Sequence, residues 1–398
     1  MLLAVAVSPP ARAVLGLPRV LWVSVGARQT LAGDLPGYLT VAANVPEERS
    51  GGRVVVHPTA PGRYLATVLA FGFLPVRQVA VEAVPPVDVV PAGQSIGVLM
   101  DTSGVLVVGD AATPTAAAKA GLRAGDLITA VDGQPVQSKE QLAALIQAAG
   151  RAHRPVRLQV RRGSGAATIS VMPVRDQRTG QYLIGAWVRD GISGIGTLTF
   201  FDPARHIFGA LGHIVADEAT GQPYPAVTGR IVPALVSGIS PGRQGDPGEK
   251  IGLFNPQAGA WGTISANTSI GVFGRLLQTP VGGLSLHAVP VALEDQIRPG
   301  PAEMLTVIAG TRVQRFSIDI LRVVPQGRPE SKGLVLQVTD PRLLATTGGI
   351  VQGMSGSPIL QDGRLVGAVT HVFVNDPARG YGVLAIWMAE AAGLTGPG

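Results

Sequence analysis

The sequence has no cysteine among its 398 residues, and this absence excludes disulfides, thiol catalysis and cysteine-ligated metal sites. Its six histidines occur singly, and none forms the His-x-x-x-His or His-Glu-x-x-His spacing of metalloproteases. Charged residues make up only 15% of the chain, and the excess of Lys and Arg behind its net charge of +6 is dispersed. The composition therefore predicts no metal, no cofactor and no nucleic-acid partner.

Long hydrophobic runs are also missing, since none approaches the roughly 18 apolar residues of a membrane-spanning helix. Met1–Val7 is apolar but short and lacks a basic segment, and Ala11-x-Ala13 after it resembles a signal-peptidase site. We expect residues 1–13 to be a leader or the remnant of an anchor. Hydrophobic residues still make up 46% of the chain, which is enough for a folded protein with more than one core.

Residues 14–90 contain short strand-like runs separated by turn clusters, a pattern typical of a small β-rich domain. The runs are Arg19–Val25, Tyr38–Ala42, Arg53–Val56, Tyr64–Leu69 and Val76–Val84. Nothing in this part of the sequence indicates catalytic chemistry. The proline-rich stretch from Pro85 to Gly93 predicts a linker to the next domain.

Residues 91–175 form a second domain with mixed strands and helices. Strand-like runs at Ser95–Asp101 and Val105–Val108 precede a short helix and a tight connection at Gly121–Asp126. Ser138 is placed to cap a helix that extends to about Ala149. This order, with its Ala-Gly-Leu-x-x-Gly-Asp pattern, resembles the PDZ domains of bacterial proteases.

The PDZ resemblance implies a binding site for an extended peptide C-terminus, which adds as a strand to the edge of the sheet. We expect the peptide carboxylate to be held by the backbone amides of Ser95, Ile96, Gly97 and Val98. The floor of the side-chain pocket is then predicted to be Leu142 and Ile146. For these two side chains, ordinary core packing is the alternative.

Residues 176–398 consist of short apolar strands between Gly/Pro turns, with almost no helix signal. About 220 residues of this pattern suit the double β-barrel of trypsin-like proteases. The predicted fold class is thus mainly β: a small N-terminal β-rich domain, a PDZ domain, and a trypsin-like double β-barrel.

The hexapeptide Gly353-Met-Ser-Gly-Ser-Pro358 is the most informative feature of the chain. A serine between glycines, followed by a small residue and proline, is how trypsin-like proteases present their nucleophile. Such a turn exposes the Ser355 hydroxyl and aims the amides of Gly353 and Ser355 at one point, an oxyanion hole. A plain turn between two strands is the alternative interpretation, and Ser357 is the competing nucleophile.

A nucleophilic serine needs a base, and three histidines are candidates. His213 follows a small-residue, apolar stretch from Gly209, whose glycines allow a second chain segment to approach closely. His206 lies among polar residues and is predicted to be on a surface turn. His371, on the strand after the serine loop, lines the pocket or packs in the core.

Eight stretches resemble, in order, the stage IV sporulation protein B peptidases, which are serine proteases of spore-forming bacteria. They are Ser95–Val98, Gly104–Gly109, Trp187–Asp190, Gly194–Phe200, Ala210–His213, Gly245–Lys250, Gly353–Ile359 and Gly367–Asp376. The resemblance implies that His213 is the general base and Ser355 the nucleophile.

The resemblance also points to Asp340 as the acid that orients the imidazole. In trypsin-like proteases the acid lies further upstream, which leaves Asp246, Asp295 and Asp319 as alternatives.

The resemblance implies a serine endopeptidase that signals between two compartments during spore formation. Its expected substrate is a membrane-bound regulator of an intramembrane protease, and self-cleavage near the N-terminus is also implied. The expected location is extracytoplasmic, in the space between forespore and mother-cell membranes, with a membrane anchor as an option. A catalytically silent PDZ-bearing adaptor is the alternative function.

Overall fold

A computed structural model describes residues 14–395 except 34, 51, 111–114, 164, 217–225, 255–258, 283 and 285–286. The predicted leader at residues 1–13 therefore lies outside the described residues. Within the described part, no helix is both long and apolar enough to cross a membrane. The chain is mainly β, as the sequence predicts.

The N-terminal part contains a four-stranded sheet in the order β1-β7-β6-β3 and a three-stranded sheet in the order β2-β5-β4. Val41, Val68 and Val79 are among the buried side chains of its core, which consists largely of small branched residues. The strands are β1 Val20–Ser24, β2 Gln29–Ala32, β3 Leu39–Ala43, β4 Glu47–Ser50, β5 Arg53–Val56, β6 Gly62–Ala70 and β7 Leu74–Val84.

The next part of the chain contains two helices, α1 and α2, which pack on the sheet β13-β12-β10-β9. Ser138 caps α2, as predicted, because its hydroxyl accepts from the Gln141 amide at 3.2 Å. The elements are β8 Asp88–Pro91, β9 Ser95–Asp110, α1 Ala116–Lys119, β10 Leu127–Val131, β11 Gln134–Pro135, α2 Lys139–Arg151, β12 Val156–Arg162, β13 Gly165–Val171, β14 Val174–Arg175 and β15 Tyr182–Leu183.

A first six-stranded barrel closes in the order β9-β18-β21-β22-β17-β16, because β16 pairs with both β17 and β9. Phe201 and Phe208 fill its interior. Its strands after β9, with the neighbouring short strands, are β16 Ala186–Asp202, β17 Ile207–Ala210, β18 Ala226–Pro233, β19 Leu235–Ser240, β20 Glu249–Leu253, β21 Gly262–Thr268, β22 Gly271–Leu276 and β23 Val289–Pro290.

A second closed barrel follows in the order β24-β25-β26-β29-β28-β27. Helix α4 packs against it, and Trp387 of α4 meets Trp22 of β1 edge-on with 5.1 Å between ring centroids, which joins the N-terminal part to this barrel. A 3-10 helix, Glu294–Gln296, precedes it. The elements are β24 Gly300–Thr306, β25 Gln314–Val323, β26 Leu334–Val338, α3 Pro341–Thr347, β27 Pro358–Gln361, β28 Arg364–Phe373, β29 Asp376–Leu384 and α4 Ala385–Ala391.

Two strands are much longer than the others, and each belongs to two domains. The first half of β9 lies in the first barrel and its second half lies in the sheet with α1 and α2. Strand β16 accompanies β9 along both halves, from the pair Ala186–Asp110 to the pair Thr197–Ser95. The domain with α1 and α2 is therefore joined to the first barrel by continuous paired strands rather than by a loop.

Candidate active site

The loop that carries Ser355 is held in place by hydrogen bonds to its backbone carbonyl groups. The Gln352 carbonyl accepts from the Lys250 amide at 2.9 Å, and the Met354 carbonyl accepts from the Ser357 amide at 2.9 Å. Thr197 of β16 holds the other two carbonyls: its hydroxyl donates to Gly353 at 2.8 Å and its amide donates to Ser355 at 3.0 Å. Four successive carbonyls are thus fixed, three by Lys250 and Thr197 and one by Ser357 of the loop itself.

This pattern determines where the loop amides point. The N–H and C=O of a trans peptide unit point in opposite directions, so fixing the carbonyls of Gln352 and Met354 turns the next amides, those of Gly353 and Ser355, away from the protein. Neither amide has a hydrogen-bond acceptor within the described residues. Gly353 adopts φ +87°, which favours glycine, and both residues line the same cavity.

The Ser355 side chain points to the second barrel. Its hydroxyl donates to the Thr370 carbonyl on β28 at 2.8 Å. Ser357, the competing serine, is fully buried and donates to the Thr306 hydroxyl at 3.0 Å. Of the two serines, only Ser355 lines the cavity.

His213 lies on the turn that follows β17. Leu211 and Gly212 take positive φ values of +69° and +72° there. A side chain at Gly212 would meet Thr370 Cγ2 at 2.9 Å, so the glycine lets the turn of the first barrel pack directly on β28 of the second. The turn brings His213 to the same cavity as Ser355.

The hydrogen bond of His213 defines its tautomer. Its Nδ1 lies 2.8 Å from the Ile214 carbonyl. A carbonyl oxygen only accepts, so we assign the proton to Nδ1, which leaves the lone pair of Nε2 available to take a proton. Burial lowers the pKa of His213 below its usual value, and the Ile214 carbonyl opposes this shift. The imidazole is therefore neutral at neutral pH.

The cavity between the barrels has a volume of about 400 Å³. Its apolar wall includes Ile192, Ile195 and Leu211, and its polar side contains His213, Gly353 and Ser355. A hydroxyl, a neutral imidazole and two unpaired amides on one cavity are the groups that acyl transfer requires. Within the described residues, no group of three or more histidines and carboxylates is placed to hold a metal ion.

His371 is a second histidine close to the first. The two rings are 5.2 Å apart between centroids. Partial desolvation, together with the neighbouring His213 and Lys332, lowers the pKa of His371. His371 is exposed, which rules out core packing, and it is not among the residues that line the cavity.

Asp340, the predicted acid, does not contact His213. Its carboxylate caps α3 by accepting from the amide of Arg342 at 2.9 Å, and it pairs with the Arg342 guanidinium at 2.8 Å. It also accepts from the Ser317 amide at 3.3 Å. The hydrogen bond to Arg342 holds the pKa of Asp340 at about 2. The orienting contact that the resemblance implies is thus not formed, because the carboxylate is used at the start of a helix.

The three alternative acids do not contact His213 either. Asp246 accepts from the Gly248 amide at 3.3 Å, and Asp295 accepts from the Gln29 side chain at 2.6 Å. Asp319 lies on β25, where it lines a different cavity. The group on the Nδ1 side of His213 is the Ile214 carbonyl, which no side-chain motif could have indicated.

The structure contradicts the prediction that Ser95–Val98 form an edge strand that binds a peptide. These residues lie in the first barrel, where one edge pairs with β16 and the other with β18. With both edges occupied, no peptide can add as a strand there. Ser95, Ile96 and Val98 are also buried, at 2%, 0% and 4% exposure.

Leu142 and Ile146 have the alternative role that the sequence left open. They are 2% and 6% exposed and pack in the core of the domain with Val105 and Val107. The edge next to α2 is instead formed by the start of β16. Its Ala186–Val188 pair with β9 on one side, and the Asp190 carboxylate accepts from the Lys139 amide at the start of α2 at 2.8 Å.

Two residues that support the serine loop were not recognised in the sequence. Thr197 falls within the stretch Gly194–Phe200, and Lys250 ends the stretch Gly245–Lys250. Both stretches resemble the peptidase family, and that resemblance was the only signal for them. A single threonine in a strand and a lysine next to an isoleucine carry no chemical pattern of their own.

Comparison with known protein families gives two matches in this chain. The family model of the SpoIVB peptidase S55 matches residues 180–389, and that of the PDZ domain matches residues 107–162. A search of curated proteins finds no match.

A search of the solved structures gives several matches, among them the following two. The PDZ domain of the SdrC-like protein from Listeria monocytogenes is 26% identical, with a TM-score of 0.20, over 22% of this chain and 90% of that one. A protease from M. tuberculosis in its active form is 14% identical, with a TM-score of 0.29, over 52% of this chain and 77% of that one.

Proposed function

The chain belongs to the SpoIVB peptidase S55 family and is a serine peptidase with a PDZ domain, and from this premise we propose that Ser355 and His213 cleave peptide bonds within a protein substrate. One observation carries the assignment of the residues. The fixed carbonyls of Gln352 and Met354 turn the amides of Gly353 and Ser355, which have no acceptor within the described residues, toward the cavity that Ser355 and His213 share.

In the first step, Ser355 Oγ attacks the substrate carbonyl while His213 Nε2 takes the hydroxyl proton. For this the Ser355 hydroxyl breaks its hydrogen bond to the Thr370 carbonyl and turns toward His213. Catalytic hydrogen bonds are often formed only when substrate is bound. The amides of Gly353 and Ser355 then donate to the oxyanion of the tetrahedral intermediate.

In the second step, His213 returns its proton to the leaving amine, and an acyl-enzyme remains on Ser355. Water attacks this ester with His213 again as the base. The Ile214 carbonyl keeps the ring in the required tautomer and accepts from the imidazolium, so it performs the orienting role usually given to a carboxylate. No cofactor takes part.

The finer role rests on family resemblance. The substrate is a membrane-bound regulator of an intramembrane protease, cleaved outside the cytoplasm between forespore and mother cell during spore formation. Self-cleavage near the N-terminus belongs to the same proposal. A membrane-bound fragment of the regulator, presented to the purified protein in vesicles, tests the substrate: a single cut that Ser355→Ala abolishes supports it, and an intact regulator beside an actively labelled enzyme contradicts it.

The PDZ domain holds an extended peptide of the substrate or of the chain itself. The edge of Ala186–Val188 beside α2 supports this role, because among the described strands only β9 pairs with this segment, on its other side. Such docking raises the effective concentration of the scissile bond at the cleft.

The silent adaptor remains the second candidate, and one observation favours it: the Ser355 hydroxyl donates to a carbonyl rather than to His213. A fluorophosphonate probe distinguishes the two functions. Labelling of Ser355 that is lost in His213→Ala supports the peptidase. A wild-type protein that binds peptide but does not label is an adaptor.

A further inference from the structure

Lys250 is a buried cation beneath the serine loop. It is 4% exposed and lies on β20, and within the described residues it forms no ion pair with a carboxylate. Its ammonium instead lies 2.9 Å from the Thr306 hydroxyl, 3.3 Å from the Thr197 hydroxyl and 3.4 Å from the Ser95 hydroxyl. Isolated buried charges are costly, so such a group calls for an explanation.

The three hydroxyls come from both barrels. Ser95 and Thr197 belong to the first barrel, on β9 and β16, and Thr306 ends β24 of the second. The Lys250 ammonium is therefore a shared partner at the junction of the barrels.

Two of the three hydroxyls that contact Lys250 are hydrogen-bonded to the serine loop. Thr197 donates onward to the Gly353 carbonyl at 2.8 Å, and Thr306 accepts from Ser357 at 3.0 Å. The Lys250 backbone amide holds the Gln352 carbonyl, and its aliphatic stem packs where a side chain at Gly353 would lie, 3.1 Å away.

The charge state of Lys250 determines the direction of these hydrogen bonds. An ammonium has three donors and no acceptor, so Thr197 accepts from it and keeps its own hydrogen for the Gly353 carbonyl. A neutral amine has a lone pair that competes for a hydroxyl hydrogen. Loss of the proton thus weakens the bond that fixes the loop.

We propose that the Lys250 ammonium is a positioning group for the oxyanion-binding loop, acting through Thr197 on Gly353. The proposal rests on the assignment of Ser355 as nucleophile. Lys250 does not contact the reacting atoms, so its loss lowers kcat and leaves KM unchanged.

Charged and titratable groups around Lys250 are few. From β9, β16 and β24 it faces the three hydroxyls, and from the serine loop it faces the neutral Gln352 and Gly353. Glu249, its neighbour on β20, is exposed. Burial lowers the pKa of Lys250 to about 7. The active, charged form is therefore present below that pH and is lost as the pH rises through it.

The test uses Lys250→Met, which keeps the length of the side chain and removes the charge. The rate of fluorophosphonate labelling of Ser355 and the kcat and KM for a peptide are measured from pH 5 to 9. We expect the wild-type rate to fall above about pH 7, and Lys250→Met to lose about 10- to 100-fold in kcat at pH 6.5 and to show no alkaline decline. An alkaline decline that persists in Lys250→Met overturns the proposal.

A second pair of variants keeps the test decisive if Lys250→Met does not fold. Thr197→Val removes the relay hydroxyl and should lower kcat at unchanged KM, whereas Thr197→Ser keeps the hydroxyl and should retain activity. Equal kcat values for these two variants overturn the relay. A wild-type protein that never labels overturns the assignment of Ser355, and the role of Lys250 with it.

Discussion

Gly356 of the serine loop lies against Leu211 of the histidine turn: a β-carbon at position 356 would approach the Leu211 amide nitrogen at 2.5 Å and the Thr197 carbonyl oxygen at 2.1 Å. Gly356 also has φ +92°, a value that other residues rarely adopt. The serine loop and the histidine turn can therefore approach this closely only because residue 356 has no side chain.

We therefore expect Gly356→Ala to separate the two segments, abolish labelling of Ser355 and lower the free energy of unfolding by more than about 2 kcal/mol. The matched control is Gly363→Ala. Gly363 has φ +74° but open space around it, so this change should cost only about 1 kcal/mol and leave labelling intact. Thermal unfolding and probe labelling measure both variants, and a labelled Gly356→Ala protein would contradict the expectation.

Ser355→Ala should abolish turnover and labelling with little loss of stability. It removes one hydrogen bond, to the Thr370 carbonyl, which is about 1 kcal/mol. Ser357→Ala is the control, because Ser357 is buried and bonded to Thr306; it should be less stable but still label at Ser355. Peptide mapping of the labelled protein identifies the serine, and label on Ser357 would transfer the assignment.

Asp340→Asn should change turnover by less than about tenfold, far from the 10⁴-fold loss that removal of a triad acid causes. Its carboxylate caps α3 and pairs with Arg342. The pKa of Asp340 is lowered to about 2, so its stabilising charge is present above about pH 4 and is lost as the pH falls toward 2.

Unfolding by urea at pH 7 and at pH 2.5 measures this contribution. The difference in stability between wild type and Asp340→Asn should shrink at the lower pH. A loss of turnover of several orders of magnitude in a folded Asp340→Asn protein would restore Asp340 as the acid.

The decline of the labelling rate on the acidic side of its pH profile should reflect protonation of His213. Burial lowers its pKa, so the neutral base persists below pH 6.5, and labelling should decline only at lower pH. His371→Gln is the control, since it removes the neighbouring ring but leaves the base. If the acidic decline of the labelling rate disappears in His371→Gln, the titrating group is His371.

A photo-crosslinker at Trp187 should capture an extended peptide with a free C-terminus. Trp187 lies beside α2 on a strand segment that, among the described strands, pairs only with β9, and it is 62% exposed. The matched control is a crosslinker at Phe73 in the N-terminal part, which is 76% exposed and should capture none. Equal capture at both positions would show non-specific contact.

Much of the fold could be predicted from the sequence, because its signals are local. Runs such as Arg53–Val56 and the cap at Ser138 depend on neighbouring residues alone, and β5 and α2 confirm them. The pairing of strands that are distant in the sequence could not be predicted in this way. Ser95–Val98 precedes the PDZ elements in the sequence but pairs with strands about 100 residues downstream.

In the candidate site, too, only the features with a local sequence pattern could be predicted. Ser355 has a recognisable hexapeptide, but the acceptor next to His213 is a backbone carbonyl, which every residue possesses. In β20 the pattern even misleads: Lys250 is buried while its neighbour Ile251 is 49% exposed, because the lysine reaches hydroxyls of other strands. Asp340 could not be told from a helix cap without its contacts.

Strand β16 connects the segment Ala186–Val188 beside α2, called the docking edge here, with the serine loop. It runs without interruption from Val188, at the docking edge, to Thr197, which holds the carbonyls of Gly353 and Ser355. Nine residues of strand span at most about 30 Å. We therefore expect a substrate docked by its end to need up to about nine residues of extended chain before the bond to be cut.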